Sequence, residues 1–97
     1  MFLRDYELTV IVNPQVDEEY LKATVDKISR WITDKGGNIS QFEPQGKRKL
    51  AYPIKKFMEG NYLLAKFQSD AKATKEIETN LKMAEDVLRY LLIKVGE

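Results

Sequence analysis

The spacing of apolar residues changes along this chain from a strand period to a helix period, does so twice, and so leaves few folds open. From Arg4 to Val12 the pattern alternates, with Tyr6, Leu8, Val10 and Val12 on one side and Asp5, Glu7, Thr9 and Ile11 on the other, as in a half-buried strand. Asn13-Pro14 interrupts it. Asp17 then stands where a helix needs a side-chain acceptor for its first free N–H groups, and Leu21, Val25, Ile28 and Ile32 recur at the spacing of one helical face. Glu18 with Lys22, and Asp26 with Arg30, are spaced to support the exposed side. Gly36-Gly37 supplies the stop.

The second half repeats the change of period. Residues 38–42 and 47–52 read as two parts of one irregular edge strand, bent at Pro44 and Gly46, because proline cannot donate to a ladder and glycine tolerates a bulge. Residues 57–60 are expected to make a hairpin turn, and residues 61–68 (NYLLAKFQ) the next strand. Asp70 caps a second helix whose buried stripe is Ala73, Ile77 and Leu81, with Glu78 and Lys82 as an exposed pair. Residues 87–95 (VLRYLLIKV) close the chain as a strand.

Strand, helix, strand, strand, helix, strand, joined by right-handed crossovers, gives an α+β fold of the ferredoxin-like βαββαβ kind. Four antiparallel strands form one sheet, the first and third central, with both helices on one face. Residues 1–97 are expected to make a single domain, since a chain of this size has no material for a second core. The other sheet face stays open. There the closing strand offers apolar groups in either register, Leu91 with Ile93 or Tyr90 with Leu92. Tyr90 and Leu92 are assigned to the core, Leu91 and Ile93 to the open face, where exposed apolar surface suggests a partner.

Composition removes several classes of function. Apolar residues make up 43% and charged residues 32% of the chain, and no apolar run approaches the roughly 20 residues that span a bilayer. The start, MFLRDYELTV, runs straight into a strand without the apolar core and cleavage site of a secretory signal, so a cytoplasmic protein is expected. There is neither cysteine nor histidine, which excludes disulfides, thiolate nucleophiles and the usual zinc sites. No cofactor or metal is expected. The acids Asp17, Glu18, Glu19, Glu85 and Asp86 sit at helix ends, where capping and solvation account for them. No glycine-rich phosphate loop occurs. Acylphosphatases, enzymes of this fold and length, carry an arginine in a glycine-containing loop after the first strand; here Asn13-Pro14-Gln15 stands there. The chain is not expected to be an enzyme.

A denser signal is the basic cluster GKRKLAYPIKK (residues 46–56), in which Lys47, Arg48, Lys49, Lys55 and Lys56 surround an apolar Leu-Ala-Tyr-Pro-Ile core in a protein of net charge only +1. A cluster of this kind is ordinarily a solvated surface, or else a phosphate contact. Residues 60–67 (GNYLLAKF) lie where RNA-recognition motifs carry stacking aromatics. The match is poor: Glu59 replaces the expected base, and Tyr62 and Phe67, five apart, point to opposite faces.

Another resemblance spans nearly the whole chain. Arg4-Asp5-Tyr6-Glu7, Asn13-Pro14, the run Gly46, Arg48, Leu50-Ala51-Tyr52-Pro53-Ile54 with Lys56, and Val87-Leu88-Arg89-Tyr90 occur together and in order, and on them the sequence resembles the bacterial small-subunit ribosomal protein S-six family. The block around Leu-Ala-Tyr-Pro-Ile is its specific part. The resemblance implies a non-catalytic protein of the small ribosomal subunit that binds the central domain of small-subunit ribosomal RNA as a heterodimer with ribosomal protein S-eighteen. A net charge of +1 suits that arrangement, because a strongly basic partner can supply the remaining attraction for phosphate. Some members of that family carry a longer tail than the end at Gly96-Glu97, so any function of such a tail is expected to be either absent or removed with it. Within this reading Lys47, Arg48, Lys49, Lys55, Lys56 and Arg4 are the RNA-contacting candidates, and Arg89, Leu91, Ile93 and Tyr52 the partner-contacting ones. Arg4 and Arg89 also stand near acids, Asp5, Glu7 and Asp86, with which a lone arginine commonly pairs. For Tyr52 two places are open, core filling, which is favoured, and stacking on a partner. Trp31 and Tyr20 are expected at the core edge. The competing function is a free-standing ferredoxin-like module binding single-stranded RNA or a small ligand.

Overall fold

A computed structural model describes residues 3–95; Met1 and Phe2, and the end at Gly96-Glu97, lie outside the described residues. The elements are β1 (Arg4–Val12), α1 (Glu18–Thr33), β2 (Asn38–Ile54), β3 (Phe57–Ser69), α2 (Ala71–Met83) and β4 (Val87–Lys94). The strands form one antiparallel sheet in the order β2-β3-β1-β4, so β1 and β3 are central, as the element order requires.

Each helix begins as its sequence predicts. Asp17 Oδ1 accepts from the Tyr20 backbone N–H at 2.8 Å, and Asp70 Oδ1 from that of Ala73 at 2.7 Å, which satisfies donors that have no partner inside the helix. After α1, Gly36 takes φ +84°, a left-handed conformation that costs glycine nothing, and the Gly37 N–H returns to the Ile32 carbonyl at 3.0 Å.

The helices cover one face of the sheet. Tyr6, Leu8, Val10 and Val12 from β1 and Leu63, Ala65 and Phe67 from β3 are buried with Ile28 and Ile32 of α1 and Ile77 and Leu81 of α2. Tyr6 and Phe67, cross-strand partners, stack with ring centroids 5.8 Å apart. Leu92 lies opposite Leu8 and packs on this core with Tyr90, whereas Leu91 remains 54% exposed, so the assigned register of β4 holds. It breaks only at Leu88. A bulge between Ile11 and Val12 pairs Val12 with Val87, and this puts Val87 into the core.

The hairpin joining β2 and β3 corrects the sequence reading. The turn lies at Lys55-Lys56, with φ of 49° and 73°, and β3 starts already at Phe57. Positive φ at two successive residues is the backbone of a two-residue turn whose twist matches the flanking strands. Asparagine and glycine normally mark such a turn, so two lysines concealed it. Gly60 does not lie in the turn that its residue type suggests but is buried within β3. A β-carbon there would lie 2.4 Å from Ile11 Cγ2 and 3.4 Å from the Val12 carbonyl oxygen, so a hydrogen side chain lets the hairpin bend across the end of β1.

Strand β2 runs continuously through the expected bend, with a register shift between Pro44 and Gly46. A larger irregularity follows. Lys49 pairs with Glu59 and Ile54 with Phe57, so four residues of β2, Leu50 to Pro53, stand opposite Met58 alone. The excess chain carries Leu50 into burial, while Tyr52 stays 53% exposed. Tyr52 therefore does not fill the core, because it lies on the looped-out segment and not in the ladder. Trp31 packs at the core edge as expected. Tyr20 does not: it is exposed, and its hydroxyl donates to the Asp86 carboxylate. That hydrogen bond is the main cause that raises the Tyr20 hydroxyl above its usual pKa, because ionisation would set two anions against each other. Glu78, expected to pair with Lys82, accepts from the Tyr90 hydroxyl at 3.4 Å.

Candidate functional site

The looped-out segment turns the open sheet face into a groove. Thr9 and Ile11 of β1 and Tyr62 of β3 form its floor, Leu50, Tyr52 and Ile54 one wall, and Arg89 and Leu91 of β4 the other, around a volume of about 250 Å³. Ile11 belongs to the face without helices, yet it is buried. Its cover comes from the hairpin.

Two arginines sit on aromatic rings here. The Arg89 guanidinium lies 6.0 Å from the Tyr52 ring centroid and donates a hydrogen bond to the Tyr52 hydroxyl, and Arg48 lies 5.6 Å from the Tyr62 centroid. Arg89 therefore finds a tyrosine in place of the expected acid. The Arg89–Tyr52 pair joins residues 37 positions apart, and no sequence period could announce it, since it depends on how far the excess of β2 loops out. Arg48 over Tyr62 had a legible signal: both lie on the open side of adjacent strands, Arg48 opposite Gly60 and two pairs from Gly46 opposite Tyr62.

The basic residues divide among three places. Lys47, Lys49 and Lys56 line a second, wider groove of about 560 Å³ between the hairpin and the β1–α1 loop, with Phe57 and Met58 beside them. Lys55, at the tip, lies with Lys82, Leu88 and Arg89 around a third depression. Arg48 faces the open side. Among the described residues Lys47, Lys49, Lys55 and Lys56 form no ion pair, in contrast to Lys35 with Glu76 at 2.8 Å and Lys66 with Glu7 at 3.8 Å. The sequence thus predicted a cluster, and the hairpin distributes it over both sides of one projection. Arg4 is not brought into it. It pairs with Ser69 at the opposite end of β1 from Val12, on the order of 25 Å away at the usual strand rise.

Leu91 and Ile93 are exposed side by side on β4, and Tyr52 and Arg89 border the same apolar surface. All four partner-contacting candidates thus share one side of the sheet. No group of three or more acids that could hold a metal occurs among the described residues.

The sequence model of the family Ribosomal protein S6 matches residues 5–94. The chain belongs to the ribosomal protein S6 family. It is 42% identical over 95 residues to the small ribosomal subunit protein bS6 of Thermoanaerobacter pseudethanolicus, covering 98% of this chain and 100% of that protein. To the protein of the same name from Moorella thermoacetica it is 35% identical over 95 residues, covering 98% and 97%. The crystal structure of 30S ribosomal protein S6 from Thermotoga maritima superposes with a TM-score of 0.90 at 32% identity, over 96% of this chain and 88% of that one. Membership of this family makes the chain a structural, non-enzymatic protein of the small subunit of the bacterial cytoplasmic ribosome. No helix among the described residues is long and apolar enough to cross a membrane.

Proposed function

We propose that the protein binds the central domain of small-subunit ribosomal RNA as a heterodimer with ribosomal protein S-eighteen. Lys47, Arg48, Lys49, Lys55 and Lys56 contact phosphate, and Leu91, Ile93, Arg89 and Tyr52 contact the partner. The observation that carries this reading is the adjacency of two unlike surfaces on one hairpin, unpaired lysines on one side and an apolar, arginine-bordered groove on the other. Three lysines gathered around a single acid, Glu59, keep an excess of positive charge, and an anion relieves their repulsion. A groove with Leu91 at its rim gains by losing water to a protein surface. Neither surface suffices alone, because a net charge of +1 gives little long-range attraction for RNA. Arg4, at the far end of β1, is left to a separate contact.

Filter binding of a central-domain RNA fragment tests this reading. The isolated chain is expected to bind weakly or not at all, and tight binding is expected once S-eighteen is added, with reciprocal coupling between the two proteins. Tight binding by this chain alone, unchanged by the partner, removes the heterodimer and favours a self-sufficient module for single-stranded RNA.

A further inference from the structure

Resting on the RNA reading above, we infer that the groove between the hairpin and the β1–α1 loop takes one unpaired nucleotide of single-stranded RNA, base as well as phosphate. A surface for duplex backbone needs positive charge and little else, because paired bases are stacked inside the helix and cannot reach a protein side chain. This groove has more than charge. Its volume of about 560 Å³ falls in the roughly 300–1,000 Å³ range of pockets that enclose small ligands. Pro14, Phe57 and Met58 give it apolar lining, and Met58 is left 59% exposed, a large apolar side chain uncovered beside lysines.

The division of labour follows from residue chemistry. Lys47, Lys49 and Lys56 hold the phosphate, as ammonium groups with no acid paired to them. The Phe57 ring and the Met58 thioether supply a surface on which any base can stack. Glu59 is the single acid at this edge, and with Gln15 it offers hydrogen-bonding groups to a base rather than to phosphate. The groove therefore discriminates an unpaired nucleotide from a paired one.

Nuclear magnetic resonance on the heterodimer with S-eighteen, with this chain isotope-labelled, tests the inference. Three probes are titrated at equal salt: oligoadenylate, an abasic strand with the same number of phosphates, and an RNA duplex. Oligoadenylate is expected to bind about tenfold tighter than the abasic strand and to move the Met58 methyl signal upfield through the ring current of a stacked base. Phe57→Leu closes that gap while leaving abasic affinity unchanged; Met58→Ala, at an exposed position, narrows it without touching the fold. Equal affinities for oligoadenylate and abasic strand, or a Met58 methyl that does not respond, overturn the inference. Failure of the parent reading shows separately, as no heterodimer or no binding of the ribosomal RNA fragment by it.

Discussion

The two faces of this sheet are built from the same strands and treat their apolar residues in opposite ways. Under the helices, Leu8, Val10, Leu63 and Ala65 are fully buried, and alternate residues from Tyr6 to Val12 in β1 and from Leu63 to Phe67 in β3 contribute to one continuous core. On the other face apolar residues are covered only where the hairpin folds back, at Ile11 and Leu50, and elsewhere remain open, as at Leu91 and Ile93. The first face is closed by the regular elements of the chain, the second by an irregular excursion of β2. Stability therefore rests on the face under the helices, and the recognition proposed above on the face that leaves surface uncovered.

The largest effect is expected where the covered face is emptied. Phe67→Ala removes the ring stacked on Tyr6 and should cost about 3–5 kcal/mol, since loss of burial is joined by a cavity. Urea titration measures it; a change under about 1 kcal/mol would mean that the helices do not depend on this layer.

Gly60→Ala attacks the junction of the two faces. The added methyl meets Ile11 Cγ2 at 2.4 Å, so either β1 or the hairpin must move, at a cost of about 1–3 kcal/mol. If the hairpin is the element that moves, the Arg89–Tyr52 hydrogen bond opens and partner affinity falls with stability.

The contrast between the faces also decided what could be read from the sequence. Alternation in β1, the 3.6-residue period of both helices and the aspartate caps are local signals, and on them the topology and the core were legible, whereas β4 is apolar in either register and its assigned faces are decided by its pairing with β1. The hairpin was not. Lys55-Lys56 carries no turn signature, Gly60 suggested a turn although its role is close packing against Ile11, and four residues opposite Met58 follow no period. Tyr52 was misplaced for that reason, and so the groove it walls could not be seen. The identities of the basic residues were plain, but their separation to two sides of the projection depends on pairing between strands.

Replacing Lys47, Lys49 and Lys56 together by alanine sharpens the comparison from the recognition side. Exposed charges of this kind change stability by about 0.5 kcal/mol or less. Assembly with RNA should weaken, and the slope of log affinity against log salt should flatten by up to about 0.9 per lost phosphate contact on a duplex-like target. An unchanged slope would return the three lysines to plain solvation.

The smallest expected effect is that of Tyr20→Phe. Because the hydrogen bond to Asp86 raises the Tyr20 pKa above its usual 10.0, the neutral phenol favours the folded state. That contribution is fully present below pH 10.0 and is lost as pH rises through the folded-state value. The variant should lose a little stability at neutral pH and show a flatter alkaline decline, read from urea midpoints between neutral and alkaline pH.

The division between the faces is tested most directly by a matched pair on β4, Leu92→Asn and Leu91→Asn, each measured for stability in urea and for S-eighteen affinity. Leu92 packs on the core and Leu91 is 54% exposed. The first change should cost on the order of 3 kcal/mol through lost burial and an unsatisfied amide, and the second much less. Leu91→Asn should instead weaken binding of the partner by tenfold or so, about 1.4 kcal/mol. If Leu91→Asn unfolds the protein, or leaves S-eighteen bound as tightly as before, then the open face is not where recognition resides.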